Sequence, residues 1–167
     1  MHTSTYRVTQ DIFASSGQRV SNYLIDLVIQ YILLFAIAFV AVILGNIFEV
    51  YAIGDYFASM DRIDEYLWGV LMIIVYYGIV ESLLGRSLAK YITKTVVVLE
   101  DGSKPDAGTI MKRTFSRLIP FDAFSFLGEK TRGWHDTISD TYVVRKEMLD
   151  ERMQLHYSFE EIGNPAL

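Results

Sequence analysis

Arg19, Asn22, Asp26 and Gln30 recur at spacings of three and four residues. On a helix they share one face, within about 80° of one another. The residues that follow are apolar. Leu27 to Leu44 carries no charge, and eighteen residues at about 1.5 Å each cover roughly the hydrocarbon thickness of a bilayer. A second run, Leu67 to Leu84, has a single charged member, Glu81, with Arg86 two residues beyond its end. Carboxylates at membrane depth turn toward protein or water, and burial and a neighbouring arginine pull their proton affinity in opposite directions. Such groups are suited to exchange a proton or a small cation, and proton relays in membranes are built from them. The structural alternative is that Arg19 neutralises Asp26 and Arg86 neutralises Glu81, fixing helix register with little net stability. Further along the chain, His135 and Asp136 form another titratable pair.

Charge placement sets the expected orientation. The net charge is −5, but the segment from Gly45 to Tyr66 holds Glu49, Asp55, Asp61, Asp64 and Glu65 against Arg62 alone. Arg7 and Arg19 precede the first run, and Arg86, Lys90 and Lys94 follow the second. The positive-inside rule therefore puts both termini in the cytoplasm, as for a multi-pass membrane protein. A signal-peptide core is usually shorter and lies behind an earlier basic start.

Beyond Arg86 the apolar runs shorten. Thr95 to Leu99 reads as a strand that Thr141 to Arg145 can pair with. Asp106 can cap a helix starting near Ala107, on which Ile110, Thr114 and Leu118 form one side and Lys112, Arg113 and Arg117 another. That helix either lies among lipid headgroups or packs on its own domain. With Lys90 and Lys94, these cations are the lipid-headgroup candidates. Leu118 to Gly128 is apolar but short and interrupted by Pro120 and Asp122, which suits a re-entrant or interfacial segment better than a third span. The fold class expected is an all-α membrane protein with two transmembrane helices, a small cytoplasmic strand pair and an amphipathic helix. It forms one domain over 1–155, with spans at about 22–44 and 66–84, a cytoplasmic or interfacial part at 85–155, and a flexible tail at 156–167.

Several chemistries find no footing. There is no cysteine, and three scattered histidines give no metal-ligand spacing. There is no phosphate loop and no nucleophile elbow, so neither an enzyme nor a cofactor is expected. Basic residues beside a membrane meet lipid rather than nucleic acid.

Gly85-Arg-Ser-Leu-Ala-Lys90 with Val96-Val97-Val98, Gly133-Trp-His-Asp136 followed by Thr141-Tyr-Val-Val144, and Arg19 seven residues before Asp26 together resemble the RDD family of small bacterial membrane proteins. The resemblance makes Asp136 the family's second aspartate. Members commonly carry a third long apolar segment where this chain has Leu118 to Gly128. What the resemblance implies about activity is transport, including the cation/proton exchange proposed for some members. Two readings follow: a transporter or cation/proton exchanger acting as a homo-oligomer, or a non-transporting assembly or lipid-binding module. Ala38, Ala41 and Gly45 give the small-residue spacing at which first helices could meet.

Overall fold

The computed structural model describes residues 6–127 and 132–163, the last four of these by backbone only. Two long helices dominate: α1 (Ser16–Phe48) and α3 (Arg62–Leu84), joined through the short α2 (Ala52–Ala58). Both are long and apolar enough to cross a membrane. They start earlier than the apolar runs because their caps lie outside them. Ser15 and Gln18 form a reciprocal capping box on α1, and Asp61 accepts the amides of Ile63 and Asp64 at 2.8 and 2.9 Å on α3. At the far end of α3, Gly85 stops the helix with a left-handed φ of 73°, a conformation that glycine adopts without steric cost.

The burial pattern of α1 is inverted relative to a water-soluble helix. Its buried residues are Arg19, Asn22, Asp26, Gln30 and Gly45, while Phe35 is 72 % exposed and Phe39 67 %. The polar face is inside and the apolar face is outside, the arrangement that hydrocarbon surroundings favour. Gly45 is used within the chain, where a Cβ would come within 2.8 Å of the Val50 carbonyl oxygen.

After α3 the chain forms α4 (Leu88–Ile92), β1 (Thr95–Val98), α5 (Ala107–Ser116), α6 (Trp134–Ile138), β2 (Tyr142–Arg145) and α7 (Lys146–Gly163). The strands pair antiparallel, with Thr95 opposite Arg145 and Val98 opposite Tyr142, as the two β-branched stretches suggest. Tyr6, Ile12, Val98, Val144 and Leu149 form the small core under this ribbon.

Two expectations change here. α5 packs on its own chain, with Met111 against Gly78 of α3, and its inward face is Ile110, Arg113 and Thr114. Arg113 is wholly buried and only 12 % of the Arg117 side chain is exposed, so neither reaches a headgroup, and Lys90 is buried too. The segment from 118, expected to be too short for a third span, holds a short 3-10 helix at Asp122–Leu127; Gly128, the end of that apolar segment, lies outside the described residues. Residues 156–163, expected as flexible tail, continue α7, whose first turn is stabilised by a 2.5 Å Lys146–Asp150 pair; 164–167 lie outside the described residues.

Candidate functional site

The polar face of α1 meets α3, α4, α5 and α6 in one buried network. Asp136, at the start of α6, receives Arg19 Nη1 at 2.5 Å, Arg113 Nη1, and the Gly133 amide at 3.2 Å. Arg113 continues to the Thr141 hydroxyl and faces Glu81 Oε2 through its Nε at 3.6 Å. Glu81 in turn is held by Lys90 Nζ at 2.7 Å and Arg117 Nη2 at 3.2 Å, and the Arg117 guanidinium stacks 3.8 Å from the Tyr77 ring centroid. On the other side, His135 Nδ1 lies 2.6 Å from Asp122 Oδ2 and its Nε2 lies 3.4 Å from Asp136 Oδ1. Gly133 leaves room for that imidazole, since a Cβ there would come within 2.9 Å of His135 Cε1. Asn22 bridges the Thr93 and Thr95 hydroxyls at 2.5 and 3.0 Å.

Four cations (Arg19, Lys90, Arg113, Arg117) and four carboxylates (Asp26, Glu81, Asp122, Asp136) therefore share this interior. With His135 neutral the formal charge balances. That balance lets the cluster exist away from water, where an unmatched charge would cost several kcal/mol.

The pairing differs from the one the sequence suggests. Arg19 reaches Asp136, not Asp26, and Arg86 stacks on the Tyr91 ring at 3.7 Å rather than meeting Glu81. Asp26 has no cation in hydrogen-bond contact: its Oδ1 accepts the Tyr76 hydroxyl at 2.5 Å and the Ala89 amide at 3.1 Å. Its Oδ2 has no hydrogen-bond partner among the described residues, and neither has the Gln30 amide one turn further on. Both side chains line a cavity of about 420 Å³ between α1, α3 and the 118–127 segment, Asp26 being 1 % exposed and Gln30 9 %. Lys94 and Lys112 stay on the surface, Lys94 beside Glu147 at 3.4 Å.

Burial pushes the Asp136 carboxyl up, but His135, Arg113 and Arg19 outweigh it and hold it well below the ordinary range. Asp122 is likewise lowered, burial being overcome by the His135 hydrogen bond. For His135 burial wins over the two carboxylates, and the imidazole is lowered. All three bind protons more weakly folded than unfolded, so acid favours the unfolded chain. Stability is expected to be intact above about pH 6.5, to fall first as His135 charges and to fall again below about pH 4 as the carboxylates protonate. Thermal unfolding in detergent from pH 8 to 3 reads this, and replacing His135 with glutamine should abolish the upper step and weaken the lower one, because His135 also holds Asp122 and Asp136 down.

The RDD family profile matches residues 13–140, a stretch holding all of the buried network but Thr141. The chain belongs to the RDD family. Within this RDD chain the arginine at 19 and the aspartate at 136 are direct partners across 117 residues, while Asp26 stands apart, open to the cavity. No curated protein and no solved structure matches the chain.

Sequence reasoning missed Tyr76, Thr93, Thr95, Asp122 and Thr141 as members of the site. Only Asp122 gave a signal, as an acid inside an apolar stretch.

Proposed function

We propose that this RDD-family chain is an integral protein of the bacterial inner membrane, with both termini cytoplasmic, that exchanges protons for a small cation across the bilayer. Asp26 is the exchanging carboxylate. One observation carries this reading: Asp26 is the acid of the network with an oxygen that neither a hydrogen bond nor an ion pair engages among the described residues, and its side chain lines a cavity between two helices of membrane length. Glu81, the other candidate, is engaged by three cations and holds the helices together instead. Asp26 lies about 10 Å along α1 from Arg19, on the side where the flanking basic residues place the cytoplasm. Two helices cannot enclose a path alone, and the apolar surface of α1 is left uncovered by its own chain, so the working form is a homo-oligomer.

The alternative is a non-transporting module that organises lipid. It draws on the exposed Lys94 and Lys112 and on the apolar Phe121 and Phe124, which are 75 % and 62 % exposed; the burial of Lys90, Arg113 and Arg117 removes most of its cationic surface. Purified protein in vesicles decides between them. Imposing a pH gradient with sodium, potassium or lithium outside should dissipate the gradient for at least one cation, whereas silence with all three across pH 6 to 9 favours the module.

A further inference from the structure

The cavity is far larger than a metal ion requires. A water molecule's share of liquid volume is about 30 Å³, so about 420 Å³ is room for a molecule of drug-like size rather than for an ion with a few waters. Its walls are aromatic and aliphatic: Tyr23, Tyr66 and Tyr77 with Phe121 and Phe124, and Ile73 between. The polar groups it offers are limited. Lys90 and Arg117 line it, but both charges are committed to Glu81, and that of Arg19 to Asp136. Among the described residues, the second oxygen of Asp26 makes no hydrogen bond or ion pair, and the amide of Gln30, one helical turn above, and the Tyr77 hydroxyl make no hydrogen bond. A carboxylate oxygen without a hydrogen-bond partner in a cavity lined by aromatic side chains selects positive charge, and apolar walls around a volume of this size select a carbon framework.

We infer that the cavity between α1 and α3 binds a lipophilic organic monocation, a substituted ammonium or a delocalised aromatic cation, with its charge against Asp26 and its apolar body among Tyr66, Ile73 and Phe124. The inference rests on the transport reading for the role of Asp26 and names the class of cation that the site accommodates. Gln30 supplies a neutral acceptor beside the charge. An anionic amphiphile of the same size finds no unmatched cation there, so the site discriminates by sign.

Ethidium is a suitable probe, read by fluorescence anisotropy on protein in phosphatidylcholine nanodiscs with empty discs as the blank. Saturable binding is expected to the parent protein, weakened at least tenfold in Asp26→Asn. Ile73→Trp, which fills the cavity without altering charge, should weaken it as much even if Asp26→Asn folds poorly. The anionic dye anilinonaphthalene sulfonate should not compete. Equal binding to the parent and both variants, or displacement of ethidium by the anionic dye, would overturn the inference. Flux in vesicles from the same preparation keeps the two ideas separate. Metal-cation exchange that saturating ethidium leaves unchanged counts against the organic cation and spares the transport reading; saturable ethidium binding without flux of any ion supports the site and counts against transport.

Discussion

Replacing Asp136 with asparagine is expected to destabilise the protein by about 3 to 5 kcal/mol, the usual cost of removing one partner from a buried ionic cluster. Asp136 is fully buried and is the meeting point of Arg19 from α1 and Arg113 from α5, so the neutral amide leaves two guanidinium groups with one carboxylate fewer between them. Its amide oxygen could still accept a hydrogen bond, but the compensating charge is gone. At about 2 to 4 °C per kcal/mol for a chain of this size, the midpoint in detergent should fall by roughly 6 to 20 °C. Arg19→Gln combined with Asp136→Asn should lose less than the two single losses added together, because the pair is coupled. A shift of under a degree or two for Asp136→Asn would mean that the cluster is hydrated and not the interior described above.

Asp26→Asn should behave in the opposite way. Both donors that meet Asp26, the Tyr76 hydroxyl and the Ala89 amide, converge on Oδ1, and an asparagine carbonyl can accept both. The fold is therefore expected to survive with a smaller fall in midpoint than Asp136→Asn, because Asp26 makes no ion pair among the described residues, while proton-coupled cation flux in vesicles drops at least tenfold. Glu81→Gln gives the contrast. It leaves Lys90, Arg113 and Arg117 around a neutral group and should fail first in stability, with any loss of flux tracking the loss of folded protein. Equal flux from Asp26→Asn and the parent would remove Asp26 from the exchange mechanism.

How much of this was legible in the sequence depends on the range of the interaction. The stripe Arg19, Asn22, Asp26 and Gln30 could be read because helical period is a local property, and all four are buried on one face as the spacing implies. The strand pair was legible for the same reason, from two β-branched stretches of matching length. Partners were not legible. Arg19 sits nearer in sequence to Asp26, yet its carboxylate is Asp136, because α6 is brought against the first turns of α1 by folding that no local pattern encodes. Arg113 shows the commonest error in another form. A basic residue on an amphipathic helix is ordinarily solvated, but Arg113 falls three residues after Ile110 and thus on the buried stripe, where Glu81 and Asp136 make its burial tolerable. Spacing carried that information; residue type concealed it. The cavity was invisible for a third reason, since it is defined by what the 118–127 segment fails to fill between α1 and α3.

The central claim is that α1 crosses a bilayer with its apolar side in lipid and its polar side on a wet cavity. The natural chain has no cysteine, so a single introduced thiol reports its own surroundings. Gln30→Cys and Phe35→Cys should be compared in native membranes for their rate of reaction with a small water-soluble methanethiosulfonate, which needs the thiolate and therefore water. The 9 % exposed position 30 should react faster than the 72 % exposed position 35, by an order of magnitude or more. Faster reaction at position 35 would contradict the account, because it would place the apolar face of α1 in water.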